Sequence, residues 1–130
     1  MSVWRMTTAI PGTDREGQMV AVLPEGRAAG DAPVDAVLML SDRSREADVF
    51  LRQLPLEREL CAERGLAACC LPGWIMDCPE AERLVFQTLP RWLGALYPVR
   101  LTMVCGQGDA EAWLREHLPP ESGWTVFSGL

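Results

Sequence analysis

Apolar and polar positions fall into short blocks along this chain, and most blocks carry the period of a strand or of a helix. Val3 to Ile10 and Gln18 to Leu23 read as two strands, with Pro11, Gly12, Asp14 and Gly17 supplying a turn, so antiparallel pairing is expected. Pro24 to Pro33 reads as a loop. The run Asp35 to Leu40, DAVLML, is apolar on both faces after its first residue, as in a covered parallel sheet. Ser41, Asp42 and Ser44 are competent helix caps ahead of Ala47, Phe50, Leu51 and Leu54. Pro55 interrupts that helix, and a second piece, Leu56 to Arg64, stops at Gly65.

Leu66 to Leu71 is a short uncharged run bounded by Gly and Pro, which predicts a buried strand. Pro72 and Gly73 end it, Trp74 to Cys78 form a loop, and Pro79 suits the first turn of a helix reaching Leu96. That helix places Ala81, Val85, Leu89, Trp92 and Leu96 on one stripe, with Pro90 expected to kink it. Arg100 to Cys105 predicts another strand, Asp109 to Leu118 a short helix closed by Pro119 and Pro120, and Trp124 to Phe127 a last strand.

Two strands, three strand-then-helix units and a final strand predict an α/β fold. The architecture expected is a three-layer α/β/α sandwich with a mixed, mainly parallel sheet of about six strands. The strands at Asp35, Leu66 and Arg100 should be parallel neighbours. At 130 residues, one domain covering 1–130 is expected, with a core large enough to fold without staples.

Composition narrows the function classes. The net charge of −6 is spread along the chain, and the 12 basic residues, all arginine, form no run, so no nucleic-acid surface is expected. No apolar run reaches membrane-spanning length and no leader pattern opens the chain, so no membrane role and a cytoplasmic location are expected. Five cysteines without a CxxC pair, and a single histidine far from them, give neither a disulfide frame nor a zinc site. Reduced, mostly buried thiols are expected, and no cofactor is called for.

Ligands of open α/β sheets sit at the carboxyl ends of the strands, which points to the loop Pro72, Gly73, Trp74, Ile75, Met76, Asp77 and Cys78. Gly73 allows close backbone approach and a helix start lies behind it, although Asp77, Glu80 and Glu82 oppose a bound phosphate. Trp74 and Met76 suit either ring stacking or cover for the sheet end. Cys78 is a candidate helix cap without a nearby base. Gly106-Gln107-Gly108 follows a strand and precedes a helix, but the third glycine of a dinucleotide fingerprint is Glu111, so a tight turn is the simpler reading. His117 near a helix end reads as a solvent-facing cation. Asp42 or Asp77 could act as a base, but no paired acid or nucleophile is evident, and the catalytic residues stay unknown.

The stretch ERGLAACCLPGWIMDCPEAERLVFQTLPRWLGALYPVRLTMVC resembles the C-terminal third of a macro domain, and VAVLPEGRAAGDAPVDAVLML resembles that family's early segment. The resemblance implies a nucleotide pocket for ADP-ribose or a related compound. Carried over by position, Pro72 to Cys78 would be the phosphate loop, Glu25 would stand near the adenine-contacting acid, and Cys105 with Gly106 would border the adenine. Ser41 and Asp42 replace the family's asparagine pair, the glycine-rich loop after them is missing, and GWIMDC replaces a Ser-Thr-Gly-rich loop, so weak binding is expected. The alternative is a non-catalytic structural or protein-interaction module on the same scaffold, contacting a protein partner through exposed Trp and Met residues.

Overall fold

A computed structural model describes residues 2–24, 32–43, 61 and 64–126. The helix expected from Ser44 to Leu54, most of the one expected from Leu56 to Arg64, and Glu25 fall outside these residues. Strands β1 (Ser2–Ala9) and β2 (Glu16–Leu23) form an antiparallel pair in unbroken register from Ser2↔Leu23 to Ala9↔Glu16. The turn between them is closed by Ile10 N–H donating to the Arg15 carbonyl at 3.1 Å and by the Thr13 hydroxyl donating to the Ile10 carbonyl at 2.8 Å. Then come β3 (Val34–Leu40), β4 (Ala67–Leu71), a 3₁₀ turn (Gly73–Asp77), a helix α1 over 81–96, β5 (Val99–Gly106), α2 (Asp109–His117) and β6 (Thr125–Val126).

The strands make one mixed six-stranded sheet in the order β1-β2-β4-β3-β5-β6. β3 is parallel to both β4 and β5, β6 is parallel to β5, and β2 meets β4 antiparallel. The α/β expectation, with a mixed sheet and three parallel central strands, is therefore met. β4 is buried throughout and β3 is buried apart from Asp35, as in a sheet covered on both faces, while β5 carries exposed Arg100 and Thr102. One face places Ala36, Leu38, Leu40, Ala67, Cys69 and Leu71 against α1 and α2. The other collects Val37, Met39, Ala68, Cys70 and Cys105 with Cys61.

A register shift opposite Ala36 and Val37 moves the partner from Leu101 to Met103, leaving Thr102 as the extra residue of a bulge. The bulge inverts the phase of β5. Leu101 and Val104 consequently both face the helices, while Cys105 turns to the opposite face.

Helix α1 departs from the expected form. Cys78 is extended at φ −75°, ψ 152°, the region favoured before a proline, and Glu80 takes a left-handed φ of 55°. The helix therefore begins at Ala81, not Pro79, and Cys78 closes the 3₁₀ turn instead of capping α1. In place of a simple kink at Pro90, α1 runs from Ala81–Arg83 through a π turn at Leu84–Thr88 into Leu89–Leu96. Leu89 N–H donates to the Leu84 carbonyl, five residues back. This wide turn lies just ahead of the ladder bond that Pro90, lacking an N–H, leaves unmade.

All five cysteines are free, and all but the half-buried Cys78 are buried. Burial pushes the Cys69 thiol from 9.0 up to about 12. Burial, and then the nearby Glu111 charge, push Cys105 up to about 11. A thiol with a raised folded pKa contributes stability that is complete below the unfolded value and lost as pH rises through the folded one. The urea midpoint is therefore expected to hold up to pH 9 and to fall between pH 9 and about 12. Thiol titration at pH 8 should label one cysteine quickly, Cys78. Fast labelling of all five would contradict this core.

Candidate functional site

The carboxyl ends of β3, β4 and β5 converge on one cluster. Ser41, fully buried, donates its N–H to the Leu71 carbonyl at 3.1 Å and its hydroxyl to the same oxygen at 3.4 Å. This ties β3 to β4 and commits the hydroxyl. Gln107 N–H donates to the Leu40 carbonyl at 3.1 Å, joining β5 to β3. Arg43, just past β3, pairs through Nε with Asp77 at 2.8 Å and through Nη1 with Asp109 at 2.5 Å, while its N–H donates to Asp109 Oδ1 at 3.3 Å. One arginine thereby binds the turn after β4 to the first residue of α2. Its hydrogen bonds to Asp77 and then to Asp109 raise its pKa further. The pairs are exposed, so each is worth ~0–1 kcal/mol and weakens in salt.

Between β5 and α2, Gly108 sits at φ 59°, ψ −126°, a region that residues with a side chain adopt only under strain. A Cβ on Gly108 would collide with Oδ2 of Asp42. Gly106 is held just as tightly, since a Cβ there would lie 2.5 Å from the Glu111 nitrogen.

Of the residues singled out from the sequence, Ser41, Asp42, Gly73, Asp77 and Gly106 meet in this cluster. Gly73, Trp74, Ile75 and Met76 are buried, so the turn is packed into the fold. The Arg15 guanidinium covers the Trp74 ring at 4.4 Å from its centroid. Desolvation raises the Cys78 pKa, against a smaller lowering by Arg15. Cys105 is turned to the other sheet face. Sequence reasoning missed Arg43, Asp109 and the role of Gly108. The available signal was that residues following neighbouring parallel strands must meet at one sheet edge.

A separate cleft of ≈ 730 Å³ lies between α1 and α2, with Met76, Glu82, Arg83, Phe86, Trp113 and His117 among its walls. Phe86 and Trp113 lie parallel within 3° at 6.5 Å, and Trp124 meets Phe86 edge-on at 5.5 Å. His117 stacks on Trp113 at 4.4 Å with its side chain 24% exposed, so it is part of this wall and does not point freely into solvent.

No family model matches the sequence, and no curated protein matches it. Solved structures do. FphF, a fluorophosphonate-binding serine hydrolase of Staphylococcus aureus solved with bound substrate, aligns with a TM-score of 0.68 at 12% identity, over 85% of this chain and 48% of its own. The apoenzyme of S-formylglutathione hydrolase FrmB, also from Staphylococcus aureus, aligns with a TM-score of 0.69 at the same identity and coverage. The chain shares its fold with these serine hydrolases. It spans about half their length.

These matches overturn the macro-domain resemblance, and with it the ADP-ribose reading and the alternative of an interaction module on a macro scaffold. The resemblance rested on a strand, proline, loop and helix in succession, a pattern that many α/β folds share. The hydrolase fold gives the turn after β5 a specific meaning. In that fold the nucleophile stands on a sharp strand-to-helix turn, in the pattern G-x-S-x-G. Here the turn after β5 reads Gly106-Gln107-Gly108-Asp109-Ala110.

Among the described residues, no helix is long and apolar enough to cross a membrane.

Proposed function

We propose that this chain is a hydrolase-fold domain that recognises a small molecule in the cleft between α1 and α2 and does not form an acyl-enzyme. The observation that carries the reading is Gly108, whose backbone has the conformation of a nucleophile turn while Asp42 fills the space a nucleophile's Cβ would need. The surroundings agree. An oxyanion hole in this fold takes one N–H from the residue after the nucleophile and one from the loop after β3. The Arg43 N–H of that loop is bonded to the Asp109 carboxylate, a charge that repels an oxyanion. The chain's single histidine, His117, ends α2, roughly 12 Å along the helix from the turn at 1.5 Å per residue. Five free thiols fit the cytoplasmic location kept in this proposal.

The test is incubation with a fluorophosphonate probe and with p-nitrophenyl acetate. Neither covalent labelling nor turnover above the variant Asp42→Asn is expected. Stoichiometric labelling overturns the reading. The carboxylate of Asp42 beside the turn favours one rival, hydrolysis by a water that Asp42 activates. Turnover without labelling, abolished in Asp42→Asn, would establish that rival.

A further inference from the structure

We infer that the cleft between α1 and α2 takes an organic ammonium ion with an aromatic or alkyl body, an assignment that rests on the small-molecule reading above. The argument starts from His117. Its Nδ1 lies 2.9 Å from the Trp113 carbonyl oxygen, which only accepts, so Nδ1 carries the proton. In the neutral ring Nε2 is then an acceptor, and it lies 3.6 Å from Oε1 of Glu82. Both groups line the cleft, where a donor on a bound molecule can reach them. A single N–H group ~2.9 Å from each satisfies both.

The walls specify what the donor is attached to. Trp113 and Phe86 offer an apolar aromatic surface, with Met76 beside them, and a cation gains further from aromatic faces. The charged groups lining the cleft are Glu80, Glu82 and Arg83, so with neutral His117 the lining is net negative. The volume of ≈ 730 Å³ exceeds the need of a benzyl or short alkyl amine. Arg83 works against a cation and sets a modest affinity.

The test uses benzylammonium chloride at pH 8, with benzyl alcohol and sodium benzoate as neutral and anionic counterparts of the same shape. Binding is followed by calorimetry and by the indole NMR signal of Trp113. Benzylammonium is expected to bind with a Kd of about 1 mM and to shift the Trp113 signal. Glu82→Gln, a change at an exposed side chain, should weaken it about 5-fold, and Arg83→Gln should strengthen it by a similar factor. The inference is overturned by no binding at 20 mM ligand, by equal binding of benzyl alcohol or benzoate, or by indifference to Glu82→Gln. None of these results depends on fluorophosphonate labelling, so failure of the ligand class and failure of the non-covalent reading are told apart.

Discussion

Gly108→Ser is expected to lower stability by roughly 3 kcal/mol and to create no esterase. Two costs add. A serine at φ 59°, ψ −126° stores strain of about 1–3 kcal/mol, and its Cβ meets Oδ2 of Asp42, the flexible end of a half-buried side chain that must turn aside. The second cost is removable. In Asp42→Ala/Gly108→Ser the clash disappears and only the strain remains, so the double variant should recover ~1 kcal/mol relative to additivity. Urea midpoints of the four proteins measure this coupling. Fluorophosphonate labelling of Gly108→Ser should stay absent, because the new hydroxyl has no adjacent imidazole to take its proton. Full stability of Gly108→Ser would show that the turn does not hold this geometry.

Gly73→Ala should be the more damaging of two glycine-to-alanine changes, with a loss of ~3 kcal/mol or more and a fall in Tm on the order of 10 °C. A Cβ at Gly73 would collide with the Ser41 carbonyl oxygen and stand 2.5 Å from the Asp42 carbonyl carbon. Both are backbone atoms at the end of β3, fixed by the bond from Ser41 N–H to Leu71, so neither can step aside as a side chain would. Gly94→Ala is the control. It lies in α1, its Cβ would meet only the Val99 carbonyl oxygen at 3.5 Å, and alanine favours helix, so it should be neutral or stabilising by up to ~1 kcal/mol. Thermal melts of both variants check the contrast. Equal melting temperatures would mean that the turn after β4 is not pressed against β3.

The cleft was not legible in the sequence for a simple reason. Trp113 and His117 lie four apart on α2, and Glu82 and Phe86 lie four apart on α1, so each pair reads alone as an ordinary helix face. Only the packing of the two helices turns these faces into opposite walls. The geometry of the turn after β5 was hidden differently. Glycine accepts almost any φ, so Gly106-Gln107-Gly108 could not reveal the unusual angles at Gly108.

What the sequence determined by itself is local: which runs become strands, where Gly and Pro stop them, and that both sides of DAVLML and AACCL are buried. These follow from side-chain period and backbone restriction, which act over a few residues. The alternation of strands and helices also carried the parallel arrangement of β3, β4 and β5, since crossovers of this kind have one favoured hand. Other features needed the tertiary structure. The bulge at Thr102 shows only as a mismatch with β3, and the strained Glu80 replaces the helix start that Pro79 advertises. Arg43 reaches Asp77 across 34 positions and Asp109 across 66. No local period encodes such meetings, because they depend on which strand ends the folded sheet sets side by side.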